Sequence, residues 1–412
     1  MVKKDSQVHF NLHKLIKLAS ICTWTFFIFG FFAYQEKNSW PLLRSVGIRS
    51  FSFFTDLGWV FKTADSAKII GWNIYDPQPP KDYSAYLYGS NLIRAVNILG
   101  ITESQTKFIG WVFMLLFSLF ISIIFVHLNF RNKLILFFCF ALSISPPNQL
   151  LLERGNFDVF MIITLAIISL LIVKQYYYLT IILLITITLF KFYTLPLFIY
   201  IIYLSKDRLK KYIGSFIFLT TTCLVVLDLG KIKIDFPRPS WAAFGNPIFG
   251  LYFHRFKIDL PSWIQDIIGL ACLIFALMII KFLLRKTNKY LPKTSILKYP
   301  NNFMDSIFNI FVLTFIACYF SSTSFDYRLV FLNVPALIYM SRVQLDKKIF
   351  ICLGTLLILS SWLSYNSGDF QLIGDICILF WISIFVRSIL IEFQSTNFFK
   401  KIQISKIISL VV

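Results

Sequence analysis

Seven charged side chains in this chain have the types and surroundings to do chemistry. Four are carboxylates (Asp56, Glu153, Asp158, Asp326) and three are cations (Arg154, Lys191, Arg328). A carboxylate beside an acceptor hydroxyl takes its proton as the oxygen attacks. Cations beside a departing phosphate stabilise the negative charge that grows there. The set is therefore suited to group transfer from a phosphate-linked donor. No Gly-rich phosphate cradle or Walker motif occurs, so neither a nucleotide donor nor ATP drive is indicated. A divalent cation held by paired carboxylates is not required, because the cations already present can serve a phosphate. No cofactor is expected.

Each residue also has a plainer role open to it. Asp56 opens an amphipathic stretch, 51–70, and a carboxylate is favoured at a helix N-terminus. That stretch reads as a helix lying on a membrane surface. Glu153 and Arg154 could satisfy each other as a helix cap, with Asn156 as the N-cap of the next helix. Lys191 could reach for the interface along its aliphatic stem. Trp59, Trp72 and Tyr75 could be members of an interfacial aromatic belt or faces on which a sugar stacks. Against these stands the expense of charge near lipid. Glu153, Arg154, Asn156 and Asp158 crowd one helix mouth, which favours a cavity that uses them.

The elements that position these groups follow from hydropathy. The chain has 412 residues, is 57% hydrophobic and carries a net charge of +20. Soluble domains are nearer 45–50% apolar, so lipid has to act as solvent for part of this surface. A spanning helix needs about 17–25 mostly apolar residues. On that rule roughly twelve spans are expected, near 15–34, 107–128, 133–146, 157–173, 176–190, 192–204, 212–229, 263–283, 303–320, 328–341, 348–363 and 371–388. The first follows Lys3, Lys4, Lys14 and Lys17 with no small-residue cleavage site, and reads as a retained signal anchor. The expected fold is all-α, a single integral-membrane domain over 1–412, with a long first outer loop at 35–106 carrying short interfacial helices and a basic cytoplasmic loop at 284–302.

Basic residues set the orientation. With both termini cytoplasmic, the inner segments hold roughly 24 basic and 5 acidic residues, and the outer ones roughly 16 and 15. This is a membrane-orientation pattern, not the clustered patch of a nucleic-acid binder, and no nucleic-acid partner is expected. Every candidate group above then falls on the outer face, where two prolines, Pro146 and Pro147, end one helix just before Glu153. Arg238, His254 and Arg255 lie in the outer 230–262 segment. The seven cysteines are scattered through apolar runs without a Cys-x-x-Cys pair, and His9 and His13 sit in the basic N-terminal tail; no metal site is expected from either.

Three stretches carry a family likeness. The first runs from Asp56 through Ala64, Gly71, Tyr75, Asp76 and Pro77 to Tyr86 and Tyr88. The second is Glu153, Arg154, Gly155, Asn156, Phe157 and Asp158. The third is Leu189, Phe190, Lys191, Phe192, Tyr193 and Pro196, with Ser324, Phe325, Asp326, Tyr327 and Arg328 adding to it. Together they resemble the GT-C membrane glycosyltransferases, and within them glycosyltransferase family 87, whose domain is also known as DUF2029. The chain departs from the pattern at Gly89 and Ser90, where prolines are expected, and in its Glu-Arg-Gly-Asn helix mouth.

The resemblance implies an inverting hexosyltransferase of the bacterial inner membrane. Its donor would be a polyprenyl-phosphate sugar, mannose first among them, and its acceptor a hydroxyl of a glycan or glycolipid on the periplasmic face. It implies Asp56 as general base and Arg154 and Lys191 as partners of the donor phosphate, a role for which Arg328 is a further candidate. Asn156 and Asp158 become donor-sugar or structural polar contacts, and Glu153, Trp59 and Tyr75 are further candidates for that role. The alternatives are a flippase or transporter of lipid-linked sugar, which favours two related halves, and an O-antigen polymerase or ligase, which would need a large late outer loop.

Overall fold

Backbone that sits in lipid or in an apolar core has to satisfy its own N–H and C=O groups, and the long apolar runs accordingly fold as helices. The computed structural model of the chain describes residues 54–70, 90–128, 133–230, 243–245, 247–253, 257–285, 299–321, 324–342, 347–364 and 369–395. The first loop supplies α1, Thr55–Ile70, and α2, Ser90–Ile98. A 3-10 turn at Glu103–Gln105 leads into α3, Thr106–His127. Then come α4, Lys133–Ser143, α5, Pro146–Glu153, α6, Asp158–Val173, and α7, Tyr177–Phe190. A second 3-10 turn, Phe192–Thr194, joins α7 to α8, Leu197–Leu204, and α9, Arg208–Leu229, follows. The rest comprises α10, Ile248–Leu251, α11, Ser262–Arg285, α12, Phe303–Phe320, α13, Val330–Arg342, α14, Lys347–Leu363, and α15, Asp369–Ser395.

Six helical segments among the described residues are long and apolar enough to cross a membrane, the mark of an integral membrane protein. They are Glu103–His127, Leu134–Glu153, Arg208–Leu229, Ser262–Lys281, Phe303–Phe320 and Phe370–Glu392. Three shorter apolar helices, Asp158–Val173, Tyr177–Phe190 and Phe192–Leu204, lie between them. Every span expected from 107 onward falls on a helix, six helices among the described residues are long enough to cross, and the expected first span at 15–34 lies outside the described residues.

Two local expectations change. Pro146 and Pro147 do not only end a helix; they open α5 as its first two residues, behind Ser145 as N-cap. Proline suits that position because the first helical N–H groups have no intrahelical partner to lose. The segment that follows Ser145 is thus helix and buried as far as Glu153. Of the amphipathic stretch at 51–70, Thr55–Ile70 forms a helix, α1. Its apolar side packs onto protein, however: Leu57, Val60, Phe61 and Ala64 are buried in the same apolar core that runs on to α15. Burying Leu57 or Phe61 is worth about 1.5–3 kcal/mol each.

Three tethers fix the first loop and the late loops over one end of the helices. Asp228, at the end of α9, accepts from both the backbone N–H and the hydroxyl of Ser90 at 2.7 Å, satisfying the start of α2. Ala243–Phe244 (β1) pairs antiparallel with Ser324–Phe325 (β2), which ties the 230–262 segment to the turn carrying Arg328. The start of α1 docks on the end of α5, where Phe54 N–H donates to the Glu153 carbonyl at 2.7 Å and Asp56 N–H to the Arg154 carbonyl at 3.1 Å.

That third tether depends on two glycines. Gly155 has φ +57°, and a Cβ there would sit 2.8 Å from the Phe54 ring. A Cβ at Gly110 would lie 2.5 Å from the same ring. Gly155→Ala therefore combines a left-handed backbone strain with overpacking. The expected result is a loss of about 1–3 kcal/mol of stability, read as a lower melting temperature of the purified protein. A conservative change at an exposed position of α1, such as Lys68→Gln, is expected to leave it unmoved.

Candidate active site

Four segments distant in sequence converge at the α1–α5 junction. Asp56 lies in the first turn of α1. Arg154 and Asn156 lie in the tight turn between α5 and α6, and Asp158 is the first residue of α6. Lys191 lies between α7 and the Phe192–Thr194 turn, in extended backbone with φ −145° and ψ 109°. The hydroxyls of Thr188 and Thr194 meet at 2.9 Å across that turn and hold its shape. Arg328 comes from the 3-10 turn Asp326–Leu329, directly after β2.

The side chains form one connected network. Asp56 Oδ1 is 3.3 Å from Arg154 Nη1, and Asp56 Oδ2 accepts from Asn156 Nδ2 at 2.7 Å. Asn156 Oδ1 in turn accepts from Lys191 Nζ at 3.2 Å and from the Asp158 backbone N–H at 2.9 Å. Asn156 thus bridges Asp56 to Lys191 while capping the first N–H of α6. Asp158 Oδ1 accepts from Lys191 Nζ at 2.7 Å and from the Tyr193 hydroxyl, and Oδ2 accepts from Arg328 Nε at 3.2 Å. The Arg328 guanidinium also lies over the Tyr193 ring, 5.0 Å from its centroid.

Burial divides the network into two parts. The Lys191 and Asp158 side chains are 2% and 1% exposed, while Asp56, Arg154 and Arg328 are 25%, 19% and 13% exposed. The inner pair is a fixed foundation, with Asp158 already taking three side-chain donors. The outer groups keep a face that a ligand can reach. Burial pushes the Asp56 carboxyl above the ordinary aspartate range, against the opposing pull of Arg154, the Asn156 hydrogen bond and Lys191. A raised pKa suits a residue that has to accept a proton near neutral pH.

Compared with known protein families, with curated proteins and with solved structures, the chain matches none.

The placement of the remaining candidates is mixed. Glu153 does not pair with Arg154 as a self-satisfied cap: Arg154 reaches Asp56, and Glu153 Oε2 is buried with no hydrogen-bond partner. Trp59, one turn beyond Asp56 on α1, is half-buried against the apolar core. Tyr75, Trp72, Arg238, His254 and Arg255 lie outside the described residues, and of Asp326 only the backbone is described. Tyr193 was not legible as a member of the site, although it follows Lys191 by two residues. Its signal is chemical: a tyrosine in an apolar run has to find a partner for its hydroxyl, and Asp158 provides it. Among the described residues no group of three or more His, Cys, Asp or Glu side chains could hold a metal ion.

Proposed function

We propose that the chain is an inverting membrane glycosyltransferase that moves a hexose, mannose first, from a polyprenyl-phosphate carrier to an acceptor hydroxyl at the periplasmic face. One observation carries the reading. A half-buried aspartate with a raised pKa stands in direct contact with an arginine and one hydrogen-bonded residue away from a buried lysine, all at one end of a bundle of apolar helices.

The chemistry balances with these groups alone. Asp56 takes the proton of the acceptor hydroxyl as its oxygen attacks the anomeric carbon. The bond from that carbon to the phosphate oxygen breaks, and its electron pair leaves with the polyprenyl phosphate. Arg154 and Arg328, both partly exposed, meet the growing phosphate charge. Lys191 is too buried to leave Asp158; it adds positive potential and holds Asn156 against Asp56. The resemblance to glycosyltransferase family 87 supports the roles of Asp56 and Arg154, whereas Lys191, which it names as a phosphate partner, has the supporting role described above.

The test uses the full-length protein in lipid nanodiscs with radiolabelled polyprenyl-phosphate hexoses and a mixture of envelope glycolipids. Label appearing in a new glycosidic product, with free polyprenyl phosphate released, is the expected result. A flippase would instead relocate labelled donor between leaflets of a vesicle and form no new bond. Orientation is tested separately with single cysteines. A membrane-impermeant thiol reagent applied from outside the inner membrane is expected to label position 68 on α1 and not position 211 at the start of α9. The reverse pattern would place the site in the cytoplasm and remove the periplasmic assignment.

A further inference from the structure

Beside the charged network, α5 carries three buried acceptor oxygens that no donor among the described residues satisfies: Asn148 Oδ1, Gln149 Oε1 and Glu153 Oε2. Gln149 and Glu153 are four residues apart, so they share one face of the helix. They are 2% and 4% exposed. The Gln149 amide is anchored through its Nε2, which donates to the Ile144 carbonyl, leaving Oε1 as its open end. Neither Gln149 Oε1 nor Glu153 Oε2 has a hydrogen-bond partner. A buried acceptor left without a donor costs about 1–3 kcal/mol, so two on one helix face are an expense that needs a use.

Their surroundings indicate what the use is. α5 packs against the Asp326–Leu329 turn, which carries Arg328. Glu153 is next in sequence to Arg154, and its carbonyl holds Phe54, two residues before Asp56. Glu153 therefore borders the groups proposed to take the phosphate and the acceptor proton, and Gln149 lies one turn back along the same helix face. The Gln149 oxygen accepts hydrogen bonds in this arrangement, and so does Glu153 in its carboxylate form. A phosphate brings further acceptors and a lipid tail brings nothing. A sugar ring brings several O–H donors at short spacing.

We propose that Gln149 and Glu153 form the subsite that binds hydroxyls of the transferred sugar. This rests on the transferase reading above and deepens it: the cations take the phosphate, and this face of α5 chooses the hexose. Recognition by hydrogen bonding to hydroxyls gives strong discrimination, because a sugar lacking the right hydroxyl leaves the buried acceptors still unpaired.

The experiment compares full-length wild type, Gln149→Met and Glu153→Met in nanodiscs. Three quantities are measured: melting temperature, affinity for polyprenyl-phosphate mannose and polyprenyl-phosphate glucose, and affinity for polyprenyl phosphate without sugar. Wild type is expected to bind one of the sugar-bearing lipids at least tenfold more tightly than the bare lipid. Each substitution is expected to remove about tenfold of that preference and leave the bare lipid unaffected; Glu153→Met is expected to melt at or above the wild-type temperature, and Gln149→Met below it because the Ile144 carbonyl loses its donor. Four results overturn the subsite while the transferase reading survives through labelled product: no preference in wild type, an undiminished preference in the variants, equal losses for both kinds of lipid, or a Glu153→Met variant that melts well below wild type. If wild type binds none of the lipids and makes no product, the transferase reading falls and the subsite with it.

Discussion

Asp158→Ala is expected to lower the stability of this protein more than any other single change at the site. Asp158 is 1% exposed and holds Lys191, Tyr193 and Arg328 at once. Removing it strands a lysine that is itself 2% exposed, with its first partner gone. Breaking a buried pair from one side costs about 3–5 kcal/mol, because the remaining charge cannot be resolvated in place. The measurement is the melting temperature of purified protein, together with the amount recovered from membranes. A double-variant cycle gives the sharper reading. Lys191→Met alone is expected to be severe for the same reason, leaving Asp158 with only Arg328 as a cationic partner. Asp158→Asn with Lys191→Met removes both charges and keeps similar volumes, so it is expected to recover much of the loss. Additive losses in the double variant would mean that the two side chains act independently, against the 2.7 Å contact between them.

Asp56→Asn is the second large effect, and it falls on activity instead of stability. The substitution keeps the size of the side chain and an oxygen for Arg154 or Asn156 to meet. It removes the ability to take a proton, and general-base catalysis contributes about 10²–10⁴-fold. Transfer of labelled sugar is expected to fall by that order, with melting temperature held or raised. The sign of the stability effect follows from the direction of the pKa shift. Burial raises the folded-state pKa of Asp56 above its unfolded value, so its contribution is fully present below the unfolded pKa and is lost as pH rises through the folded one. The charged form is the burden on the fold, and asparagine relieves it. Wild-type activity, by contrast, is expected to fall on acidification as Asp56 becomes protonated. That limb of the pH profile should begin at higher pH than an ordinary aspartate would give. Turnover undiminished in the Asn variant would remove Asp56 as the base.

The two outcomes also separate what each half of the network is for. The inner Asp158–Lys191 pair holds segments together, and the outer Asp56–Arg154 pair meets ligand. Sequence could not draw that line. Asp56, Asp158, Arg154 and Lys191 were legible as a group because charges next to long apolar runs are rare and because orientation put them all on one face. Which of them is buried depends on packing between segments roughly a hundred residues apart, and no local pattern reports it. The same reason hides the β1–β2 pair, whose two-residue strands have no periodicity of their own. α5 was obscured by its opening prolines, which end a helix as readily as they begin one. Tyr193 and Gln149 look like ordinary members of their runs until their partners, or the lack of one, can be seen.

The seat of Phe54 has a consequence for how this chain can change over time. Its ring occupies space that Cβ atoms at positions 110 and 155 would otherwise fill, so three positions from separate segments share one volume. A methyl group gained at 110 has to be matched by material lost at 54, and neither step is tolerable alone. Relatives that diverge here should therefore do so in concert, with small residues at 54 wherever 110 or 155 has grown. Because Phe54 directly precedes the helix that carries Asp56, such a swap would also reset how deeply the proposed base sits in the site.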